Sequence, residues 1–249
     1  MQPPAWTSAV ALAAAGVLVA VMAAPLTVLS FDDVTAAAAD PHLRSAAVRT
    51  LWTSLLSTAI ALSIALPSAV AVSRSPRLRR WLLPLVDMPL AAPPLVIGVC
   101  LLLLFVGPLR AVDSALGVTL DLPAVVLAQT VLATCLACRI LVTAFDRIPT
   151  TVDAVARTLG AGPTAALRHA VLPAATPGVM AAAVVAWARA FGEFGPVLVF
   201  AGVTRGRTEV LSTAVHLELS SGRLGTAAVL SLLMLLIAAA VSAAAHRHT

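Results

Sequence analysis

Residues 148–202, with the sequence IPTTVDAVARTLGAGPTAALRHAVLPAATPGVMAAAVVAWARAFGEFGPVLVFAG, change from a polar segment to a long apolar run. Apolar residues at helical spacing within 152–159 predict a short amphipathic helix. Thr150, which lies three residues before Asp153, is typical of a capping box at the start of such a helix. This part of the stretch therefore predicts a short helix with one apolar face outside the membrane.

Glycines and prolines divide the residues that follow. Gly160 and Gly162 are predicted to end the first helix, and Pro163 suits the first turn of a second one. We expect the second helix to end by Pro173, because proline breaks the helical hydrogen-bond pattern. Residues 179–200 are then apolar apart from two charged side chains, which predicts a membrane span. The stretch therefore predicts an exposed helical hairpin that leads into a charged transmembrane helix.

The composition of the whole chain is that of a membrane protein. Hydrophobic residues make up 60% of the 249 residues and charged residues only 11%, which excludes an ordinary soluble domain. We predict an all-α, polytopic membrane protein with one transmembrane domain over 1–249 and a polar segment at 31–49. The predicted spans are 8–30, 51–72, 87–106, 122–144, 179–200 and 226–245, and a cytoplasmic loop is predicted at 148–173.

The positive charge of the chain is explained by membrane topology. The net charge is +5, and all 16 basic residues are arginine. No basic stretch carries the interleaved aromatic residues of a nucleic-acid site, so we expect membrane lipid and no nucleic acid as a partner. The arginines between Arg74 and Arg80 indicate a cytoplasmic loop. The chain is therefore predicted to cross the bacterial inner membrane with both termini in the cytoplasm.

Two short motifs favour packing or bending over chemistry. Cys135 and Cys138 form a C-x-x-C pair inside an apolar run, and we interpret them as small packing residues rather than metal ligands. Pro89, Pro93 and Pro94 near the start of the third predicted span indicate a kink or a broken helix. Neither a metal site nor a catalytic residue is predicted.

The energy source for transport is predicted to lie on another protein. A P-loop requires a lysine, and the sequence contains none. An exposed hairpin on a polytopic chain without a nucleotide site indicates that a separate ATPase docks there. The chain itself is therefore predicted not to be an enzyme, and to hold no cofactor of its own.

Arg189 and Glu193 lie four residues apart in the fifth predicted span, on one helix face. Charged groups inside a membrane are costly unless they are paired or face water. Two interpretations follow: an ion pair that holds the bundle or a dimer together, or a charged element of a translocation pathway or gate. Gly192 and Gly195 beside the pair permit close helix contact or local unwinding.

The hairpin resembles the coupling loop of permease subunits of bacterial ABC importers, whose pattern is roughly E-A-A-x3-G-x9-I-x-L-P. Gly160 matches the glycine, and Leu172 and Pro173 match the end of the pattern, whereas Ala154 and Ala170 replace its glutamate and isoleucine. The residues that the resemblance assigns to ATPase coupling are Asp153, Val155, Ala156, Arg157, Leu159, Gly160, Gly162, Leu172 and Pro173. The run ARAFGEFG at 188–195 is similar to the molybdate, tungstate and sulfate branch of these permeases.

This resemblance implies a type I importer permease that moves an oxyanion into the cytoplasm. It also implies two ATPase subunits that hold ATP and Mg²⁺, a second permease copy that forms a homodimer, and an extracytoplasmic substrate-binding protein. Import of another solute, such as thiamine, iron, phosphonate or a polyamine, stays open at this point. A membrane-embedded enzyme or assembly factor is a further alternative, although only Arg139, Arg189 and Glu193 would supply polar groups within the membrane.

Overall fold

Long apolar helices make up most of the computed structural model, which describes residues 5–246. The helices are α1 (Ala5–Ala23), α2 (Phe31–Ala39), α3 (Pro41–Arg74), α4 (Pro76–Ala91), α5 (Pro94–Val106), α6 (Arg110–Leu116), α7 (Leu122–Asp146), α8 (Thr150–Thr158), α9 (Pro163–Ala166), α10 (Leu172–Phe191), α11 (Leu211–Ser220) and α12 (Leu224–His246). Within residues 5–246, five helical segments are long and apolar enough to span a membrane, and the bent pair α4 and α5 would make a sixth. The predicted all-α, polytopic class is confirmed.

Helix α7 lies at the centre of the bundle and packs against both α3 and α10. Its side of the contact is built from small buried residues, among them Ala133, Ala137 and Cys138. Small side chains let helix backbones approach closely where no water is present to drive association. Ser57 of α3 donates hydrogen bonds to the Val126 carbonyl and to Gln129 Oε1, both at 3.0 Å. The core therefore lies between α3, α7 and α10.

The predicted polar segment at 31–49 is helical. Ser30 and Asp33 form a capping box at the start of α2, and the Asp40 side chain accepts a hydrogen bond from the His42 N–H at the start of α3. These caps let two helices begin in a polar sequence. Helix α3 is 34 residues long, so the predicted second span is only the apolar part of a longer helix.

The predicted third span, 87–106, is broken. Helices α4 and α5 meet at an angle of 110°, and Pro93 and Pro94 lie at the break. The expected arginine-rich loop is also wrong, because α3 ends at Arg74 and α4 begins at Pro76. The Ser75 side chain accepts a hydrogen bond from the Leu78 N–H, which allows a new helix to start immediately. Most of the arginines therefore lie on α4.

Helix α1 is the most exposed of the candidate spans. Its apolar window is 0% buried within the described chain, although its length suits a membrane span. Helix α12, in contrast, packs against α2 and α11. The apolar surface of α1 is therefore available to lipid or to another protein chain. The predicted location of the termini concerns residues 1–4 and 247–249, which lie outside the described residues.

Candidate coupling hairpin and translocation site

The first hairpin helix, α8, begins at Thr150 itself. Pro149 occupies the N-cap position and no side chain caps the helix, so the predicted capping box is wrong. Asp153 instead forms an ion pair with Arg157 across one turn, with 2.9 Å between Oδ2 and Nε. The first turn of α8 is closed by the backbone instead, since Val152 N donates to the Pro149 carbonyl at 3.1 Å.

The end of α8 depends on one glycine. Gly160 has a φ of +89°, and Ala161 N donates to the Ala156 carbonyl at 3.0 Å, as in a Schellman motif. A left-handed end at Gly160 was expected from the sequence and is present. Gly162 has a φ of −66°, which any residue adopts. Gly160 therefore sets the reversal of the hairpin, whereas Gly162 is not required by backbone geometry.

The second hairpin helix does not end at Pro173, contrary to the sequence prediction. The chain is helical without interruption from Pro163 to Phe191, a segment of 29 residues. A π-helical turn at Leu167–Val171 precedes the proline. Leu172 N donates to the Leu167 carbonyl five residues back, so the shift in hydrogen-bond register falls directly before Pro173. The hairpin is therefore joined rigidly to α10.

The outer surface of the hairpin is an open apolar groove of about 440 Å³. Its lining residues are Thr151, Val152, Val155, Ala156, Leu159 and Ala170. Leu159 is 83% exposed and Val155 is 57% exposed, although both are apolar. The last two residues of the matched pattern have different surroundings, because Leu172 packs against the core whereas Pro173 is exposed. Of the nine predicted coupling residues, Val155, Ala156 and Leu159 line this groove.

The fifth predicted span, 179–200, is also broken. Helix α10 ends at Phe191, and a π-helical turn at Val197–Ala201 follows after an irregular segment. A methyl group added at Gly195 would lie 3.0 Å from Leu95 N and 3.2 Å from the Pro94 carbonyl carbon. The irregular segment after α10 therefore contacts the break between α4 and α5, and Gly195 permits this close contact because it has no side chain.

The predicted pair of charges lies immediately beside this contact. Arg189 Nη1 lies 2.6 Å from Glu193 Oε2, and the Glu193 side chain is 1% exposed whereas that of Arg189 is 28% exposed. Ser212 of α11 donates a 2.7 Å hydrogen bond to the Glu193 carbonyl. Gly192, the C-cap of α10, is exposed on the same side as Ala188. Arg189 therefore covers a buried carboxylate at the edge of the open face of α10.

Sequence reasoning missed a second cluster of charges, which lies on α11 and the segments beside it. Glu218 of α11 is 1% exposed and pairs with Arg205 at 2.5 Å and with Arg223 at 2.6 Å. The Arg49 side chain donates a 2.7 Å hydrogen bond to the Glu209 carbonyl. In the sequence, Arg205 and Arg223 lie on either side of Glu218, and this arrangement could have predicted its ion pairs. Together they fix the segment between α10 and α12.

A multi-pass helical bundle with two touching helix breaks and an exposed hairpin has the features of a membrane transport protein. Comparison with protein families agrees, because residues 58–248 match the family described as binding-protein-dependent transport system inner membrane component. The chain belongs to this family. It is therefore a multi-pass protein of the inner membrane, as predicted from its apolar helices.

Relatives with assigned names come from both bacteria and archaea. The molybdenum transport system permease protein ModB of Mycobacterium tuberculosis is 35% identical over 81% of this chain and 78% of its own length. The probable molybdenum ABC transporter permease protein HVO_B0370 of Haloferax volcanii is 35% identical over 80% of this chain and 76% of its own length. The similarity thus extends far beyond the hairpin.

Solved structures share the fold. A chain of the MetNI methionine ABC transporter, in an inward-facing conformation, matches with a TM-score of 0.64 and 20% identity, covering 84% of this chain and 96% of that one. A bacterial ABC transporter involved in the import of the acidic polysaccharide alginate gives a TM-score of 0.70 and 19% identity, covering 92% and 87%. The predicted importer permease fold is confirmed.

Proposed function

We propose that this chain is the membrane-spanning subunit of an ATP-driven importer that moves molybdate, or a similar tetrahedral oxyanion, into the cytoplasm. The observation that carries the proposal is the 35% identity to permeases named for molybdenum transport over about four fifths of the chain. Tungstate and sulfate have the same charge and shape as molybdate, so they belong to the same proposal. The substrate is delivered by a separate extracytoplasmic binding protein, in keeping with the family description.

The coupling hairpin (Thr150–Ala170) is the docking site for a separate ATPase subunit. Support comes from its groove, where the apolar side chains of Leu159 and Val155 are exposed. Other exposed side chains of the hairpin, such as that of Arg157, are charged. A large exposed apolar patch on a soluble surface indicates a protein interface. The chain lacks lysine and hence a P-loop, so ATP and Mg²⁺ are held by the ATPase.

The continuous helix from Pro163 to Phe191 transmits the movement of the ATPase to the pathway. At 1.5 Å per residue, its 29 residues form a lever about 43 Å long. The lever begins at the hairpin and ends at Gly192, where the two helix breaks touch. Closure of two ATPase subunits on ATP draws the hairpins of two permease copies together and shifts the contact between Gly195 and Leu95. This movement opens one side of the pathway and closes the other.

Arg189 and the start of α5 supply the positive potential for an anion at the helix breaks. Breaks of this kind place helix ends at the middle of a membrane, where transporters bind their substrates. The α5 N-terminus at Pro94 carries a partial positive charge. Arg189 neutralises Glu193 while the pathway is empty, and its partial exposure leaves it accessible to a passing anion. Gly192, Glu193 and Gly195 complete this gate.

The hairpin faces the cytoplasm, both termini lie on that side, and two copies of the chain form the pathway. Orientation is tested with single cysteines and an impermeant thiol reagent on intact cells, after Cys100, Cys135 and Cys138 are replaced. Ala36→Cys, on the exposed side of α2, is expected to react, whereas Ala154→Cys on the hairpin is expected to be protected. The neighbouring Ala37 is not used for the labelling because its side chain is buried. The reverse pattern contradicts the orientation.

Transport is tested in cells that lack their own molybdate permease and express this chain with its ATPase and binding protein. We expect uptake of radiolabelled molybdate, which unlabelled tungstate inhibits. Uptake of sulfate but not molybdate would assign the other oxyanion, and uptake of neither would refute the proposal.

Docking is tested by co-purification of the ATPase from detergent. Leu159→Asp places a charge in the apolar groove and is expected to release the ATPase. Leu116→Asp is the matched control, since Leu116 on α6 is an exposed leucine (70%) away from the hairpin. Retention of the ATPase by Leu159→Asp, with transport intact, would mean that the hairpin is not the coupling site.

A further inference from the structure

Helix α4 has two faces with different surroundings. On one face Leu82, Leu83 and Val86 pack against the core, and Arg79 pairs with Asp146 of α7 at 2.9 Å. Asp87, about two turns of helix further on, lies 3.5 Å from Arg139 of α7. This face therefore packs against the core and α7, with the Arg79 and Asp87 side chains partly exposed.

The opposite face carries an ordered series of exposed side chains. Arg77, Trp81, Leu85 and Met88 follow one another at spacings of four, four and three residues, which places them on one helical stripe. Trp81 is 70% exposed, Leu85 59% and Met88 64%. Arg80 is exposed beside Arg77 at a spacing of three residues. The stripe thus changes from basic to aromatic to aliphatic along the helix.

This order matches the layers of one membrane leaflet. Arginine suits the phosphate layer, tryptophan the interface, and leucine and methionine the acyl chains. From Arg77 to Met88 the rise is about 16 Å, long enough to extend from the phosphate layer into the acyl chains of one leaflet. A water-filled surface would not require the apolar half of the stripe.

Local charge selects an anionic lipid. Residues 74–80 and 146–168 carry seven arginines against two aspartates, Asp146 and Asp153. Both aspartates are already paired, with Arg79 and with Arg157. Within residues 5–246, Arg77 and Arg80 have no ion-pair or hydrogen-bond partner. The two guanidinium groups are thus available for a phosphate, which arginine binds with two parallel hydrogen bonds.

We propose that the exposed face of α4, formed by Arg77, Arg80, Trp81, Leu85 and Met88, binds an anionic phospholipid. The phosphate lies between Arg77 and Arg80, the glycerol region lies beside Trp81, and an acyl chain lies along Leu85 and Met88. This site is distinct from the coupling hairpin and does not depend on which solute the protein transports.

The test uses fluorescence quenching of Trp81 in vesicles. The full chain, with Trp6, Trp52 and Trp187 replaced by Phe, is reconstituted in mixtures of phosphatidylglycerol and phosphatidylcholine in which one lipid at a time carries brominated acyl chains. We expect stronger quenching by brominated phosphatidylglycerol than by brominated phosphatidylcholine at equal mole fraction. Each arginine near a lipid surface is worth about a fivefold preference, so Arg77→Gln should lower the relative affinity about fivefold.

Matched variants separate a specific site from general attraction to the membrane. Arg77→Gln with Arg80→Gln should abolish the preference, and lysine at both positions should largely restore it. Arg79→Gln removes the same charge from the opposite face of α4 and should leave the preference unchanged. A chain that retains only Trp52, which is 41% exposed on α3, should show equal quenching by the two lipids.

Three results would overturn the proposal. If Trp81 is shielded from both brominated lipids, another protein surface or water covers this face. If Trp81 is quenched equally by both lipids, or if the double glutamine variant keeps the preference, the arginines do not bind the phosphate.

Discussion

Breaking the Arg189–Glu193 pair should have unequal effects on stability according to which partner is removed. Arg189→Ala leaves the Glu193 carboxylate, which is 1% exposed, without its counter-charge, and stranding a buried charge costs about 3–5 kcal/mol. Glu193→Ala strands Arg189, but its side chain is 28% exposed and can turn toward the open face of α10, so we expect about 1–3 kcal/mol. The double alanine variant should be more stable than Arg189→Ala alone, because neither charge is left unpaired.

Thermal unfolding in detergent measures these differences. At about 2–4 °C per kcal/mol for a chain of this size, Arg189→Ala should lower the Tm by roughly 6–20 °C, and Glu193→Ala by less. Arg139→Ala is the control, since Arg139 and Asp87 are about half exposed and lie 3.5 Å apart, so its loss should cost under about 1 kcal/mol. Additive effects of the two alanines, or a larger loss for Glu193→Ala than for Arg189→Ala, would refute the reasoning. If the pair acts as a gate, the double variant should recover assembly without recovering transport.

Three further predictions concern the backbone and the loops. Gly160→Val should destabilise the left-handed end of α8 by about 1–3 kcal/mol and weaken ATPase co-purification, whereas Gly162→Val, at an ordinary φ, should do neither. Gly195→Ala should push apart the two helix breaks and slow transport, whereas Gly16→Ala on α1, whose methyl group would meet no atom within 4 Å, should be tolerated; equal transport by both variants would contradict this. Hydrogen bonds from Arg207 and from Leu122 N lower the pKa of Asp121 in the folded protein. The stability that the Asp121 carboxylate contributes is therefore present above about pH 4 and is lost as the pH falls below that value. Arg207→Gln should reduce the loss of Tm at acid pH in thermal unfolding.

The helix breaks could be predicted from the sequence only in part. Pro93 and Pro94 indicated a broken third span, and the structure has the break at these residues. For the break after Phe191 the sequence left two alternatives open, since Gly192 and Gly195 permit either close helix contact or local unwinding. What fixes that break is the close approach of Gly195 to Leu95, a contact between residues 100 positions apart. Local propensity carries no information on such a contact.

Two predictions about the hairpin were wrong, for different reasons. Pro173 was expected to end a helix, but the π-helical turn at Leu167–Val171 lets the helix continue, with Val171 and Leu172 packed against the core. Thr150 and Asp153 were expected to cap α8, but Pro149 starts the helix and Arg157 takes the carboxylate. Packing against the core overrode the signal at Pro173, whereas at α8 two other local residues, Pro149 and Arg157, replaced the expected cap.

Composition and periodicity by themselves determined that this chain is a helical membrane protein, because only long apolar helices satisfy the backbone within a bilayer. Gly160 likewise determined the reversal of the hairpin, because a φ of +89° strains any residue with a side chain. The spacing of Arg189 and Glu193 determined that they share a face. Only the tertiary structure decided that Glu193 is buried beside two touching helix breaks, because burial depends on α5 and α11, which pack there from distant parts of the sequence.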